Sequence, residues 1–537
     1  MGKLTYSLCI CLAILIAAVF CMDFYLALSA SKLYQVYDSV PDEALFYYQS
    51  HLMAENTSKH DFDAVLGSSL AYGYGFPFWA LTTALDLSIH QSAIIDIATH
   101  KAFFLSLKWV AFGLCATTAY NAKKAQGLIL FSGLFISSSA LFFYGKIFSP
   151  EFLTLSLSGA TIFLIYTDNF KLGTRSKIAL FLITISVLVK LTSFPLLLLF
   201  CMYYLISIRH NNSKSKTTGG LILYALVASA LSLLPLLSES GRASFIFWND
   251  TNSSRVFSLD NLASWITTRS TTWDMVPLSG AIGYVGALTG LAVGLIFWVF
   301  SKNKWSDTSL LSLAMIFSGV IGLLLSASTT GYLDWYLWIP AILIITGCSL
   351  LVPQSSPIIL VATLSGALIV ASLPETIRRI NQRIQVTELL KEQDIKTKDI
   401  QKLFETEELS CKKNIVLASD MLAAIDLANT PSTAIVRMRD LVSLNYLKNH
   451  PQNKTASFGM LPPQAFYKTD AKQTKDITEI NYLAINFGLA EKTQIQNLGE
   501  IFISNDMNHA KLGQANFDKI KQIGNFGYYR RSDISCN

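Results

Sequence analysis

The chain has 537 residues and a formal net charge of +6 at pH 7; 52% of its residues are hydrophobic and 15% are charged. With a mean hydropathy of +0.42, it falls outside the range of soluble globular proteins and is expected to be a polytopic membrane protein. Because Lys and Arg in short loops explain the small positive charge, no nucleic-acid partner is expected.

Apolar runs recur through the first two thirds of the chain. A helix needs about 20 apolar residues to cross a bilayer, and the runs that approach this length cover residues 4–22, 98–120, 127–144, 152–166, 178–193, 194–208, 221–237, 282–300, 310–326, 336–351 and 358–371. The predicted fold class is an all-α polytopic membrane bundle of about 11 transmembrane helices over residues 1–373. The first run could instead be a cleaved signal peptide, although a retained span is simpler.

A shorter apolar segment, residues 76–88, is rich in aromatic residues. It is expected to form an interfacial or half-inserted helix. Its aromatic side chains, with Tyr72 and Tyr74, could stack on sugar rings, but the composition is also typical of an interfacial aromatic belt, which is the preferred interpretation.

The Lys and Arg residues of the short loops indicate the orientation. Lys3, Lys123, Lys124 and the basic segment 171–177 fall on one side if the spans alternate, and that side is expected to be cytoplasmic. The N-terminus is then cytoplasmic, and the outer loops are residues 31–75 and 238–280. The predicted location is a plasma or inner membrane.

Polar residues dominate residues 374–537, which are expected to form a small extracytoplasmic α/β domain. A long helix is predicted over 375–409, and strands over 414–418, 434–438, 482–487, 501–504 and 524–530. Cys411 and Cys536 would lie in an oxidising compartment, where they could pair. No Cys/His cluster has metal-ligand spacing, so no metal site is predicted.

Charged residues mark the outer ends of several spans. Asp42 and Glu43 follow the first span and suit the first turn of a helix, where the helix dipole favours negative charge. Lys146 and Glu151 flank the entry to another span. Lys190 lies within apolar sequence, where a charge is costly unless it has a function, although snorkelling to the interface would also explain it. These positions suggest one outer pocket that contains both carboxylates and cations.

The order of these motifs resembles that of a known family. The sequence P-D-E-A-x-x-Y-Y after the first span, followed by the segments at residues 72–79, 149–151 and 189–195, is similar to that of the GT-C integral membrane glycosyltransferases, in the protein mannosyltransferase and aminoarabinose transferase branch. The resemblance covers most of residues 1–351. It implies a GT-C-like fold and a donor that carries its sugar on a polyprenyl phosphate.

Roles follow from the resemblance and from the chemistry of transfer. An acceptor hydroxyl must lose its proton as it attacks the anomeric carbon, so a carboxylate is needed as general base. Asp42 is expected to fill this role, with Glu43 or Glu151 tuning it or orienting the acceptor. The resemblance implies inversion of the anomeric centre. No cofactor is required, although a divalent metal could bridge the acidic residues and the phosphate.

Cations are expected to hold the phosphate and to stabilise it as a leaving group. The candidates are Lys146, Lys190, Arg242, Arg255 and Arg269. Tyr47, Tyr74, Trp273 and Asp274 are the candidates for contact with the sugar or the acceptor. The acceptor could be a glycan or a protein, and membrane lipid is the other expected partner.

Two other functional classes also fit a bundle with intramembrane charge. A transporter or lipid flippase uses such charges, usually in two related halves with sites near the midplane. A noncatalytic scaffold whose exported domain binds a partner becomes the better interpretation if the outer acids and bases lie far apart.

Overall fold

A computed structural model gives the arrangement of most of the membrane bundle and of the strands that follow it. The described residues are 3–29, 46, 50, 53, 54, 56–62, 65, 66, 75–89, 97–138, 149–210, 215–238, 241, 242, 292, 294–299, 306–330, 338–374, 377, 380, 381, 384, 385, 413–418, 433–437, 482–486, 501–503, 508–512, 515–523 and 526–532.

Ten helices build most of the described part of the bundle. They are α1 (Lys3–Ser29), α2 (Phe76–Ile89), α3 (Ile97–Ser137), α4 (Pro150–Asp168), α5 (Thr174–Val189), α6 (Phe194–His210), α7 (Ser215–Ser232), α8 (Asp307–Thr330), α9 (Trp338–Leu351) and α10 (Ile358–Pro374). Within the described residues, the stretches long and apolar enough to cross a membrane are Thr99–Ser137, Leu191–Arg209 and Asp307–Ser326. These helices make the chain an integral membrane protein.

Helix α3 reverses direction at Lys124, whose backbone is not helical (φ 55°, ψ −138°). The ring of Phe112 lies 4.8 Å from that of Phe135 and 5.5 Å from that of Phe131, which a straight helix with a rise of about 1.5 Å per residue could not allow. Helix α3 is therefore a hairpin of two antiparallel arms. This agrees with the two spans predicted at 98–120 and 127–144.

The bundle has two distinguishable ends. At one, Phe152 of α4 packs edge-on against Trp338 at the start of α9, with ring centroids 4.8 Å apart. At the other, the turn of α3 meets the segment after α9, where Gln126 donates to the carbonyl of Gln354 at 2.8 Å. We name these the site end and the basic end. Lys124 and its neighbour Lys123 lie at the basic end.

Small residues allow the helices to pack closely. A Cβ on Gly159 of α4 would lie 2.8 Å from Ala111 Cα of α3, and one on Gly347 of α9 would lie 2.8 Å from the Ser312 carbonyl of α8. Close backbone approach at small residues is typical of helices packed within a bilayer. Other apolar side chains point outward, such as Leu226 of α7, which is 61% exposed and suits contact with lipid.

The predicted spans overlap these helices where the chain is described, although α1 continues to Ser29, beyond the predicted end at residue 22, and α7 begins at Ser215, before the predicted start at residue 221. Most of the predicted span 282–300 lies outside the described residues, so the count of eleven spans stays a prediction. The segment predicted as an interfacial helix at 76–88 is α2.

The C-terminal strands form one seven-stranded sheet in the order β2-β1-β3-β7-β6-β5-β4. The strands are β1 (Lys413–Ala418), β2 (Thr433–Arg437), β3 (Tyr482–Asn486), β4 (Ile501–Ile503), β5 (His509–Leu512), β6 (Ala515–Ile523) and β7 (Phe526–Arg531). Strands β2, β1 and β3 are parallel, and the remaining pairings are antiparallel. Five strands match predictions. Strands β5 and β6 were not predicted, because β5 has only four residues and β6 is mostly polar. Cys411 and Cys536 lie outside the described residues.

Candidate functional site

Glu151 and Lys190 form a buried ion pair at the site end of the bundle, through Glu151 Oε1 and Lys190 Nζ. Their side chains are 3% and 7% exposed. The sequence suggested that both line an outer pocket, and the structure brings them together from α4 and the end of α5. Burial of both charges excludes snorkelling of Lys190 to the membrane surface.

The turn between α4 and α5 explains why these two residues meet. Asp168 ends α4 and accepts hydrogen bonds from Tyr203 Oη at 2.6 Å and from the Gly173 amide at 3.2 Å. The bonds fix a tight turn at the basic end, so that α4 and α5 run antiparallel from it. Glu151 and Lys190 lie at nearly equal distances in sequence from this turn, and the two helices therefore place them at the same level.

Local sequence sets the direction of each side chain. Pro150 occupies the first helical position of α4, where its missing amide hydrogen costs nothing, and Glu151 follows in the first turn. Helix α5 ends at Val189, and Lys190 has an extended backbone (φ −155°, ψ 122°). A 3₁₀ turn then begins, and its Ser193 amide donates to the Lys190 carbonyl at 3.0 Å. This break turns the lysine toward α4.

Three buried oxygen atoms near this pair lack a hydrogen-bond partner among the described residues. They are Glu151 Oε2, Ser149 Oγ and Ser193 Oγ. Buried polar atoms are rarely left unsatisfied, and exceptions often mark a bound water, ion or ligand. The ion pair thus lies in a setting that retains capacity to accept hydrogen bonds from a ligand and, through the serine hydroxyls, to donate them.

The start of α2 lies directly against the residues that precede Lys190. The amide of Gly75 donates to the Val189 carbonyl at 3.3 Å, and Phe78 donates to the Gly75 carbonyl at 3.1 Å to begin α2. A Cβ on Gly75 would lie 2.3 Å from the Leu188 carbonyl oxygen. Only glycine fits this approach without displacing backbone.

Part of the predicted outer loop 31–75 packs against α2 through Phe46. Its residues Phe46, Ser50, Met53 and Ala54 are all buried, and their spacing places them on one helix face. Phe46 contacts the rings of Phe78 and Trp79, with centroid distances of 5.9 and 6.0 Å.

The preferred interpretation of the aromatic residues in α2 was wrong for two of them. Phe78 and Trp79 are fully buried within the protein, so they form neither an interfacial belt nor a sugar-stacking surface. They instead pack against Phe46, which follows the acidic pair in the sequence.

Most other predicted site residues lie outside the described residues, and their roles stay predictions. These are Asp42, Glu43, Tyr47, Tyr74, Lys146, Arg255, Arg269, Trp273 and Asp274. Arg242 is described and exposed, and its guanidinium donates to the carbonyls of Leu236 and Leu237 at 3.1 and 3.2 Å. The structure does not place it beside Glu151 or Lys190. In the part of the chain that the structure describes, no group of three or more His, Cys, Asp or Glu side chains could hold a metal ion.

Further buried charges were missed by the sequence analysis. Asp23 of α1 pairs with Lys108 of α3, and Trp109 Nε1 also donates to Asp23 at 3.1 Å. Asp86 of α2 lies 3.6 Å from His100 of α3. Lys108 and His100 interrupt an apolar stretch, and this signal could have identified them in the same way as Lys190.

The fold is similar to that of a solved membrane protein. ArnT from Cupriavidus metallidurans, in a crystal structure bound to undecaprenyl phosphate, matches with a TM-score of 0.55 and 10% sequence identity over 98% of both chains. Its apo crystal structure matches with a TM-score of 0.51 and 11% identity, over 96% of this chain and 97% of that one. No protein-family model and no curated protein sequence matches the chain. The chain therefore has a GT-C-like fold over nearly its whole length, as the order of its motifs predicted.

Proposed function

We propose that this protein is a membrane glycosyltransferase that takes a sugar from a polyprenyl-phosphate-linked donor and transfers it to an acceptor hydroxyl on the extracytoplasmic side. The buried Glu151–Lys190 pair at the site end of a GT-C-like bundle is the observation that carries the proposal. This pair supports the proposal because a phosphate-linked donor needs a cation at its phosphate and transfer needs a carboxylate.

The chemistry of the donor fits this construction. A polyprenyl tail is apolar and can lie along exposed apolar helix faces, whereas its phosphate needs cations in a partly dry setting. ArnT was crystallised with undecaprenyl phosphate, and similarity of fold makes a lipid of the same class the first candidate for this chain. Lys190 is the phosphate ligand that we assign first, with Lys146, Arg242, Arg255 and Arg269 as further candidates.

In the proposed reaction, Asp42 accepts the proton of the acceptor hydroxyl while its oxygen bonds to the anomeric carbon. The bond from that carbon to the phosphate oxygen breaks, and the electron pair leaves with the polyprenyl phosphate. Attack on the face opposite the phosphate inverts the anomeric centre. Glu43 and Glu151 orient the acceptor, and the cations stabilise the charge that develops on the phosphate.

One observation favours the alternative of a transporter or lipid flippase. The Asp23–Lys108 pair is fully buried between α1 and α3, and charges inside a membrane bundle often mark transport pathways. The pair is satisfied by its own members and by Trp109, which also fits a purely structural role. Transport without transfer of a sugar would favour this alternative.

The proposal is tested by incubating purified protein with radiolabelled polyprenyl phosphate sugars and membrane extract. Wild type should transfer label, and Asp42→Asn should not. Asp61→Asn, which changes an exposed carboxylate in the same outer loop, is the matched control and should transfer like wild type. Equal transfer by wild type and Asp42→Asn would reject Asp42 as the base.

A further inference from the structure

We propose that Gly75 is a positioning residue for transfer: its backbone contact with Leu188 and Val189 fixes the position of α2, and of Phe46 packed on it, relative to Lys190. This inference rests on the proposed function of the same site. It adds a residue that carries no chemistry of its own and that no pattern of charges would have identified.

The contact is set by backbone atoms on both sides. Gly75 N donates to the Val189 carbonyl at 3.3 Å. A Cβ at this position would lie 2.3 Å from the Leu188 carbonyl oxygen and 2.9 Å from its carbon. Neither atom is the end of a flexible side chain, so any larger residue must move one backbone away from the other.

Helix α2 is the element that would move. Helix α5 packs along α4 on one side and α7 on the other, and Val189 at its end is fully buried. Helix α2 is short and begins directly after Gly75. A methyl group on Gly75 would therefore displace the start of α2, while Lys190 stays in place beside Glu151.

Displacement of α2 would reach Phe46 through aromatic packing. Phe78 and Trp79, in the first turn of α2, contact Phe46, and Phe46 is itself fully buried. Asp42 and Glu43 precede Phe46 by only a few residues along the chain. A shift of the start of α2 thus moves Phe46, four residues after the proposed general base, relative to the lysine proposed to bind the phosphate.

The expected effect is on transfer and not on phosphate binding. Misplacement of a catalytic group by about 1 Å can cost on the order of 10²-fold in rate. Gly75→Ala should lower kcat by about this factor, while its Kd for undecaprenyl phosphate stays unchanged, because Lys190 and Glu151 keep their positions.

Gly113→Ala is the matched control. Gly113 lies in α3, and a Cβ there would meet no atom within 4 Å. The three proteins are purified in detergent and compared by thermal unfolding, by binding of undecaprenyl phosphate and by transfer from labelled polyprenyl phosphate sugars. Wild type and Gly113→Ala should agree in all three. Gly75→Ala should bind the lipid phosphate like wild type and transfer far more slowly.

Transfer by Gly75→Ala at the wild-type rate overturns the inference and leaves the proposed function intact. Absence of transfer by wild type and Gly113→Ala overturns the proposed function and the inference together. If Gly75→Ala does not fold, Phe46→Leu replaces it, since leucine keeps the site apolar but loses the ring contacts with Phe78 and Trp79. The same loss of kcat at unchanged Kd is expected. Binding and transfer that fall together, in proportion to folded protein, would show a merely structural role.

Discussion

Glu151 and Lys190 neutralise each other inside the bundle, each from the end of its own helix, with both side chains almost completely buried. A phosphate that binds Lys190 must therefore compete with a carboxylate already in contact with it. Removing one member of such a buried pair takes from the other the opposite charge that faces it, which is strongly unfavourable.

Because of this competition, the Glu151→Gln variant should differ from wild type in its stability and in how far the lipid phosphate stabilises it. Without the carboxylate, Lys190 should make the empty protein less stable, by about 3–5 kcal/mol for a fully buried pair. An anion that binds beside Lys190 should again supply a negative charge there and so restore stability. We expect undecaprenyl phosphate to raise the thermal unfolding midpoint of Glu151→Gln by more than it raises that of wild type. Asp168→Asn, which alters a buried carboxylate at the basic end, should lose stability but gain no more from the lipid than wild type does.

Lys190→Met should weaken binding of the same lipid. Hydrogen bonds to charged groups contribute about 1.5–3 kcal/mol, so the Kd for undecaprenyl phosphate should rise roughly 10- to 100-fold, as measured by titration of the detergent-purified protein. Lys171→Met removes an exposed lysine at the basic end and should leave the Kd unchanged. If both variants bind alike, general attraction between cations and the phosphate explains the binding, and Lys190 is not its ligand.

The pair between Asp23 and Lys108 should be structural. Lys108→Met should cost about 3–5 kcal/mol of stability because it leaves Asp23 charged and buried. The double variant Asp23→Asn, Lys108→Met should recover much of that loss, since the amide still offers an oxygen to Trp109 Nε1. Unfolding by detergent titration measures the stability of the single and the double variant. Normal stability of the double variant combined with loss of sugar transfer would instead show that the charges take part in function.

A pH effect is expected in the C-terminal sheet. His509 Nδ1 donates to Asp518 Oδ1 at 2.7 Å, and this hydrogen bond lowers the pKa of the Asp518 carboxyl below its ordinary value. The stabilisation is present above the ordinary carboxyl pKa of about 3.9 and is lost as the pH falls through the lowered pKa of the folded state. Because both groups are exposed, solvent screening keeps the effect on stability small.

NMR titration of the Asp518 carboxyl is the suitable measurement. His509→Ala should raise the pKa of Asp518 toward its ordinary value, because alanine has no side-chain donor. Gln522→Ala, which breaks the neighbouring contact with Lys519, should not change it. An Asp518 pKa that is the same in wild type and His509→Ala would contradict the assigned cause.

The sequence predicted the helices well because their signal is local. A bilayer requires long apolar runs, and α1, α4, α5 and α8 lie where those runs lie. Lys190 was identified for the same reason, since one charge in an apolar run is costly. Its partner, Glu151, was also a candidate. The contact between the two residues depends on the turn at Asp168, which accepts a hydrogen bond from Tyr203, a residue distant in sequence.

Contacts between distant segments were the part that the sequence could not supply. The burial of Phe78 and Trp79 depends on Phe46 from another segment, and their composition alone equally suited a membrane interface. Gly75 has no side chain to signal a role, and its importance is visible only from the backbone of Leu188. Strand β5 alternates between polar and apolar residues but has only four residues, and β6 loses this alternation after Phe517.

The most direct test of the central claim is the transfer of label from polyprenyl phosphate sugars by protein reconstituted in liposomes, comparing wild type, Lys190→Met and Lys171→Met. We predict transfer by wild type and Lys171→Met, with release of polyprenyl phosphate, and a loss of at least about tenfold in Lys190→Met. Equal transfer by all three proteins, or none from any donor, would contradict the account.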